Sequence, residues 1–275
     1  MEDLNGKIAL ITGAARGQGR SHAVELARHG ADIIAVDICS QIAGVPYPMA
    51  SREDLDETVR QVEALDRRVF SSVADVRDLA ELTRVVDEGV AELGGLDIII
   101  ANAGISAPAP TLEMSDDDWS TMIDVNLSGV WRTVRAGTPY IVAGGKGGSI
   151  VMISSLAAMM PNNNIAHYAA AKAGLVAFMK VLAKEQAPNG IRVNTVHPTT
   201  VATDMVLNDA TYKLFRPDRD APTRDEFEAA ARTLNALPVA LTESVDITNA
   251  ILYLVSDTGR YVTGTTHVVD AGGAL

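Results

Sequence analysis

Short apolar runs recur along this chain, and most are followed by a segment with helical periodicity. This alternation restricts the fold more than any other feature. Residues 7–11 form the first run; Thr12-Gly13 ends it, and it reads as a strand buried on both faces. A helix is expected over 17–29, with Gly30 as its C-cap. The second strand is 32–37. Residues 38–51 hold Gly44, Pro46 and Pro48 and cannot be regular helix. Ser51 and Asp54 form a capping pair for a helix through residue 65. Strand three is 68–74, and Asp78 caps a helix over 79–93 whose Leu82, Val85, Val86 and Val90 share a face. Strand four is 96–101. One long helix is expected over 116–141, closed by 144–148. Strand five is 149–153, and a helix over 168–187 ends at Pro188-Asn189-Gly190. Strand six is 191–196. Residues 198–240 are polar and contain Pro198, Pro217, Pro222 and Pro238, which predicts a mobile loop with short helices. A last helix spans 243–255 and a last strand 266–269.

Repeated strand–helix alternation implies βαβ units with right-handed crossovers. The expected fold is therefore α/β: a single doubly wound Rossmann-type domain over residues 1–275, with a parallel sheet of about seven strands covered by helices on both faces. Residues 38–51 are an insertion loop and 198–240 a substrate loop. Ligands in such sheets bind beyond the carboxyl ends of the strands.

The length of 275 residues and the 47% apolar content suit one such domain. A net charge of -12, with no basic cluster, argues against nucleic-acid binding and for solubility. Cys39, the single cysteine, cannot form an internal disulfide and reads as a buried, inert thiol. No Cys/His spacing suggests a metal. Residues 1–6 are acidic and polar, unlike a signal peptide, and no apolar run reaches the roughly 18 residues that span a bilayer. No membrane association and a cytoplasmic location are expected.

The glycine-rich turn Thr12-Gly13-Ala14-Ala15-Arg16-Gly17-Gln18-Gly19 joins the first strand to the first helix. A pyrophosphate needs backbone N–H groups and a helix N-terminus, and glycine lets the backbone come close. Gly13, Arg16, Gly17, Gln18 and Gly19 are therefore candidate dinucleotide contacts. Asp37 ends the second strand, where its carboxylate can accept both ribose hydroxyls of adenosine and repel the extra phosphate of NADP. Arg16 either favours that phosphate or is a solvated loop residue. No Lys or Arg follows Asp37 through residue 51, so NAD is the expected cofactor. Asp75, with Val76, ends strand three and either accepts from the adenine amino group or serves the turn before Asp78. Asn102-Ala103-Gly104 ends strand four; Gly104 would admit the cofactor, and Asn102 either joins it or stabilises the turn.

Tyr168 and Lys172, four residues apart, share one helix face. A free phenol, with a pKa of about 10, is a poor base near neutrality. A nearby ammonium lowers that value and makes the pair an acid/base for alcohol–ketone chemistry. Ser155, just past strand five, can hydrogen-bond the reacting oxygen. Asn126 lies inside the long expected helix, where Asn is a poor choice unless it has a hydrogen-bonding task or bends the helix. His167 adjoins Tyr168 but points elsewhere, and no catalysis is assigned to it.

Together, Thr12–Gly19, Asp75, Asn102-Ala103-Gly104, Asn126, Ser155, Tyr168 and Lys172 resemble the short-chain dehydrogenase/reductase family over nearly the whole chain. The resemblance implies a tetrad of Asn126, Ser155, Tyr168 and Lys172. Ser155 would orient the substrate oxygen and Tyr168 exchange its proton. Lys172 would lower the Tyr168 pKa and bind the nicotinamide ribose, so both residues also count as cofactor contacts. Asn126 would hold a water linking Lys172 to solvent. The insertion from Asp37-Ile38-Cys39 through Val45-Pro46-Tyr47-Pro48-Met49, with His197-Pro198-Thr199-Thr200-Val201 and Leu214-Phe215-Arg216-Pro217-Asp218, is similar to the carveol dehydrogenase-like subgroup associated with the redox peptide mycofactocin. There the insertion would cover NAD, or else it is a surface loop that touches nothing. Pro198, Val201 and Thr203 would face the nicotinamide side. Most family members have Pro-Gly where this chain has Pro198-Thr199, so that loop is expected to differ in shape. The likeness also implies a homotetramer packed through the helices at 116–141 and 168–187, and raises an external redox acceptor.

Met152, Met159, Met160, Met205 and Leu207 lie near the active-site ends of strands five and six. Their adaptable side chains suggest an apolar cyclic, terpene-like alcohol, although core packing explains Met152 equally well. The competing functions are an NADP-dependent ketone reductase and a catalytically weak NAD(H)-binding redox sensor.

Overall fold

The computed structural model describes residues 3–275, so Met1 and Glu2 of the expected leaderless N-terminus lie outside the described residues. Seven parallel strands form one sheet in the order β3-β2-β1-β4-β5-β6-β7. They are β1 Ile8–Thr12, β2 Asp32–Asp37, β3 Val69–Val73, β4 Ile98–Ala101, β5 Gly148–Ile153, β6 Ile191–Pro198 and β7 Thr266–Val269. The helices between them are α1 Gly17–Arg28, α2 Arg52–Glu63, α3 Leu79–Leu93, α4 Asp116–Ile123, α5 Gly129–Gly144, α6 Ala166–Gln186, α7 Asp209–Phe215, α8 Arg224–Arg232 and α9 Ser244–Val255.

The period-two geometry of a strand divides its side chains between two cores. On β1, Ala9 and Ile11 pack with Leu26 of α1 and Ile251 of α9, whereas Ile8 and Leu10 pack with Val85 and Val86 of α3, Val134 of α5 and Leu175 of α6. All five β1 residues are buried, which is why that run is apolar throughout rather than alternating. β1 pairs with β2 on one side and β4 on the other. The connection order reverses there, and this opens a crevice at the carboxyl ends.

The expected caps form. Ser51 and Asp54 make a capping box on α2, and the Asp78 carboxylate accepts from Ala80 and Glu81 on α3. The long helix expected over 116–141 is interrupted: a π-helical turn at Asp124–Ser128 separates α4 from α5. The helix over 168–187 starts earlier, at Ala166, placing Tyr168 and Lys172 in its first turns. The insertion is not a detached surface loop. Its Ile42, Val45 and Tyr47 are buried in a third cluster with Val76, Leu82, Ile105, Met122 and Val125. The short helices expected in 198–240 are α7 and α8. They are not loose: Phe227 stacks on Tyr212 at 4.9 Å and meets Phe215 edge-on at 5.0 Å. Among the described residues, no helix is long and apolar enough to cross a membrane.

Candidate active site

One cleft opens at the carboxyl ends of the strands, and every candidate residue lines it: Gly13, Arg16, Gly17, Gln18, Gly19, Asp37, Asp75, Val76, Asn102, Ala103, Gly104, Asn126, Ser155, Tyr168, Lys172, Pro198, Val201 and Thr203. Most follow a strand or lie in the first turns of the next helix, and Asn126 comes from the π turn between α4 and α5.

The turn after β1 is fixed by glycine. Gly13 and Gly17 adopt φ of +68° and +54°, and a Cβ on Gly19 would collide with the Gly13 carbonyl oxygen. No side chain caps the N-terminus of α1, in contrast to α2, α3, α4 and α8. Its first N–H groups therefore remain for an anionic group. The buried Gln18 Oε1 also lacks a partner. Asn102 Nδ2 donates to the Thr12 and Gly13 carbonyls at 2.9 and 3.2 Å, so Asn102 does stabilise the turn while facing the cleft.

Asp37 is buried and accepts from the backbone of Ala15 at 3.0 Å and Cys39 at 3.1 Å. Burial raises its pKa, and the backbone N–H groups and Arg16 pull against that rise. Burial, then the charge of Asp37, pushes the Cys39 thiol up to about 12, so it stays protonated and unreactive. Arg16 is not simply solvated: its guanidinium donates to the Pro48 carbonyl at 2.5 Å and pairs with Asp204 at 2.8 Å. It thereby joins the glycine turn to the insertion and to the segment after β6. Asp75 pairs with Arg77 at 2.6 Å and accepts from its backbone N–H, and these contacts outweigh burial to lower its pKa. The turn role of Asp75 is thus realised at the cleft wall.

Ser155 follows β5 and opens a 3-10 turn at Leu156–Ala158, its hydroxyl accepting from the Ala157 N–H at 3.1 Å. The Lys172 ammonium donates to the Ile153 carbonyl at 2.8 Å and lies 5.6 Å from the Tyr168 ring centroid. Burial lowers the Lys172 pKa to about 8. Burial likewise raises that of Tyr168, and the Ser155 hydroxyl opposes the rise. Desolvation of the phenol thus outweighs the Ser155 hydrogen bond in the free protein, while the Lys172 ammonium lies over the ring and is held on the Ile153 carbonyl. Asn126 is fully buried in the π turn. Its Oδ1 accepts from Ile105 N–H at 3.2 Å, and its Nδ2 donates to the Ile105 and Met122 carbonyls at 3.1 Å. A Cβ on Gly104 would come within 2.8 Å of Asn126 Oδ1 and 3.4 Å of Lys172 Nζ, so a larger residue here would displace the Asn126 side chain.

The methionine expectation needs correcting. Met205 lines the cleft, but Met152 is fully buried core, and Met159 and Met160 are exposed. Residues not anticipated also line it: Ile42, Tyr47, Met49, Thr199, Asp204 and Val206. Four apolar residues, Ile42, Val45, Tyr47 and Met49, in a Pro-containing loop were the available signal, because apolar loop residues need something to pack on.

The short chain dehydrogenase family model matches residues 7–212, and the chain belongs to that family. It is 50% identical to (-)-trans-carveol dehydrogenase of Rhodococcus erythropolis, with 100% of each chain covered. The crystal structure of carveol dehydrogenase from Mycobacterium avium in complex with NAD matches at TM-score 0.97 and 50% identity, covering 99% of each chain. That of a short chain dehydrogenase from Mycobacterium paratuberculosis bound to NAD matches at TM-score 0.91 and 43% identity, again covering 99% of each.

Proposed function

We propose that this protein is an NAD-dependent oxidoreductase acting on the CH–OH group of a secondary alcohol, or in reverse on its ketone, with an apolar cyclic, carveol-type molecule as substrate class. The observation that carries this reading is that Ser155, Tyr168 and Lys172 share one cleft with the glycine turn and Asp37. When bound, NAD supplies the hydride acceptor and NADH the donor. The residues present fit it: the uncapped α1 N-terminus for the pyrophosphate, Asp37 for the adenosine ribose, and Gly104 where bulk is forbidden.

Ser155 would hold the substrate oxygen beside Tyr168, which takes the hydroxyl proton during oxidation. An ammonium has three donors, and Lys172 uses one on Ile153; the others are free for the nicotinamide ribose and for a water reached from Asn126. Asp75 and Val76 would meet adenine, and Pro198, Val201 and Thr203 the nicotinamide side. Asp37 supports NAD over NADP, because the extra phosphate of NADP would meet a buried carboxylate. The presence of Asn126, Ser155, Tyr168 and Lys172 in one cleft supports an enzyme over a mere redox sensor, which needs no proton relay.

The insertion would act as a lid over NAD, as in the mycofactocin-associated enzymes, with reoxidation by an external acceptor. A cytoplasmic homotetramer belongs to the same reading; exposed Trp131 and Val142 on α5 and Val181 on α6 offer an apolar face. The deciding test is Tyr168→Phe assayed with NAD and secondary alcohols including carveol. A loss of at least about 100-fold is expected for an acid/base group; unchanged turnover removes Tyr168 from the chemistry.

A further inference from the structure

We propose that His197 is a positioning residue that holds Ser155 in register with Tyr168 through one fixed imidazole tautomer; the inference rests on the oxidoreductase reading above. His197 lies near the end of β6 and is fully buried. Its Nδ1 is 3.0 Å from the Ser155 carbonyl oxygen, and its Nε2 is 2.8 Å from the Thr195 hydroxyl. A carbonyl oxygen can only accept, so Nδ1 must carry the proton. Nε2 is then the acceptor, and the Thr195 hydroxyl donates to it. Burial disfavours a charged ring; the bond to the Ser155 carbonyl opposes this and the Lys172 ammonium adds to it, and the net lowering leaves the neutral Nδ1–H form.

The contact matters because of where Ser155 sits. Sheet pairing ends just before it: Ser154 N–H bonds to Val196 O, and the chain then leaves β5. Within its own short turn, the Ser155 carbonyl also accepts from Ala158 and its hydroxyl from Ala157, and the same hydroxyl hydrogen-bonds the Tyr168 phenol. The His197 bond ties this turn to β6. The turn also packs against α6, and the His197 bond adds to that packing a directional hold on the Ser155 backbone. The Ser155 and Tyr168 hydroxyls must meet one substrate oxygen, and a displacement of about 1 Å in such a pair costs on the order of 100-fold in rate.

The test compares His197→Ala, His197→Asn and Tyr168→Phe with the wild type. An Asn amide can place an N–H near the Nδ1 position. We expect His197→Ala to lower kcat roughly 10- to 100-fold while the NAD dissociation constant stays within about threefold, and His197→Asn to recover most of kcat. Thermal unfolding of both variants is measured alongside. Nitrogen-detected NMR of the wild-type imidazole, which needs no turnover, should show the Nδ1–H tautomer. The proposal is overturned by an Nε2–H tautomer, by wild-type kcat in His197→Ala when Tyr168→Phe is inactive, or by equal losses in the Ala and Asn variants at matched stability. Full turnover in Tyr168→Phe would instead remove the oxidoreductase reading, and the catalytic meaning of this contact with it.

Discussion

Asn126→Ala should cost stability before any chemistry is considered. The side chain is fully buried, and its amide pairs with both backbone groups of Ile105, itself a buried residue, as well as with the Met122 carbonyl. Alanine leaves the Ile105 N–H and C=O without this partner, and a buried polar group stranded in that way costs about 1–3 kcal/mol. Two such groups give roughly 2–6 kcal/mol, a large fraction of the ~5–15 kcal/mol that holds a typical domain together. A water entering the vacated space would bring the cost toward the lower bound. Asn126→Asp should also destabilise, because it keeps the acceptor for Ile105 N–H but turns a carboxylate oxygen toward two carbonyls. The assay is urea unfolding without cofactor, since a ligand that binds only the folded state would mask the difference. A loss below about 0.5 kcal/mol at unchanged denaturant slope, typical of surface sites, would refute this account of Asn126.

Arg16→Ala should release both the insertion and the segment bearing Asp204; losing a charge-assisted bond worth about 1.5–3 kcal/mol predicts NAD dissociation faster by roughly tenfold or more in stopped-flow displacement. Asp204→Ala should reproduce part of that increase and add little to Arg16→Ala, and full additivity would contradict a shared contact. Asp37→Ala should narrow the preference for NAD over NADP in side-by-side binding titrations, and an unaltered ratio would exclude Asp37 from the choice. Burial holds the His22 pKa at about 3, against 6.5 for the free group. The unfolded chain therefore takes up this proton first as pH falls, and the contribution of His22, fully present above pH 6.5, is lost toward pH 3. From pH 7 to 5 this removes about 2 kcal/mol, a difference that His22→Gln should abolish in unfolding measured at the two pH values.

Much of the fold was legible because parallel strands buried on both faces leave continuous apolar runs, and the boundaries of β2, α3 and β7 fall where the sequence placed them. The ends marked by side-chain caps, Ser51 and Asp78, were equally readable since the cap is local chemistry. The break at Asp124–Ser128 was signalled only by Asn126, as a π turn depends on a partner, Ile105, that is distant in sequence. The cofactor-side residues were identifiable because most sit at strand ends, and Tyr168 and Lys172 because their four-residue spacing puts them on one helix face. What they contact was not: the commitment of Arg16 to Pro48 and Asp204 and the hold of His197 on Ser155 arise from packing between segments that no local pattern links.

The bare N-terminus of α1 has a practical consequence at the bench. Its exposed peptide N–H groups and the positive end of the helix favour any small oxyanion. Phosphate or sulfate in a buffer should therefore compete with the dinucleotide, and affinities titrated in such buffers will come out weaker than those taken in a zwitterionic buffer at equal ionic strength.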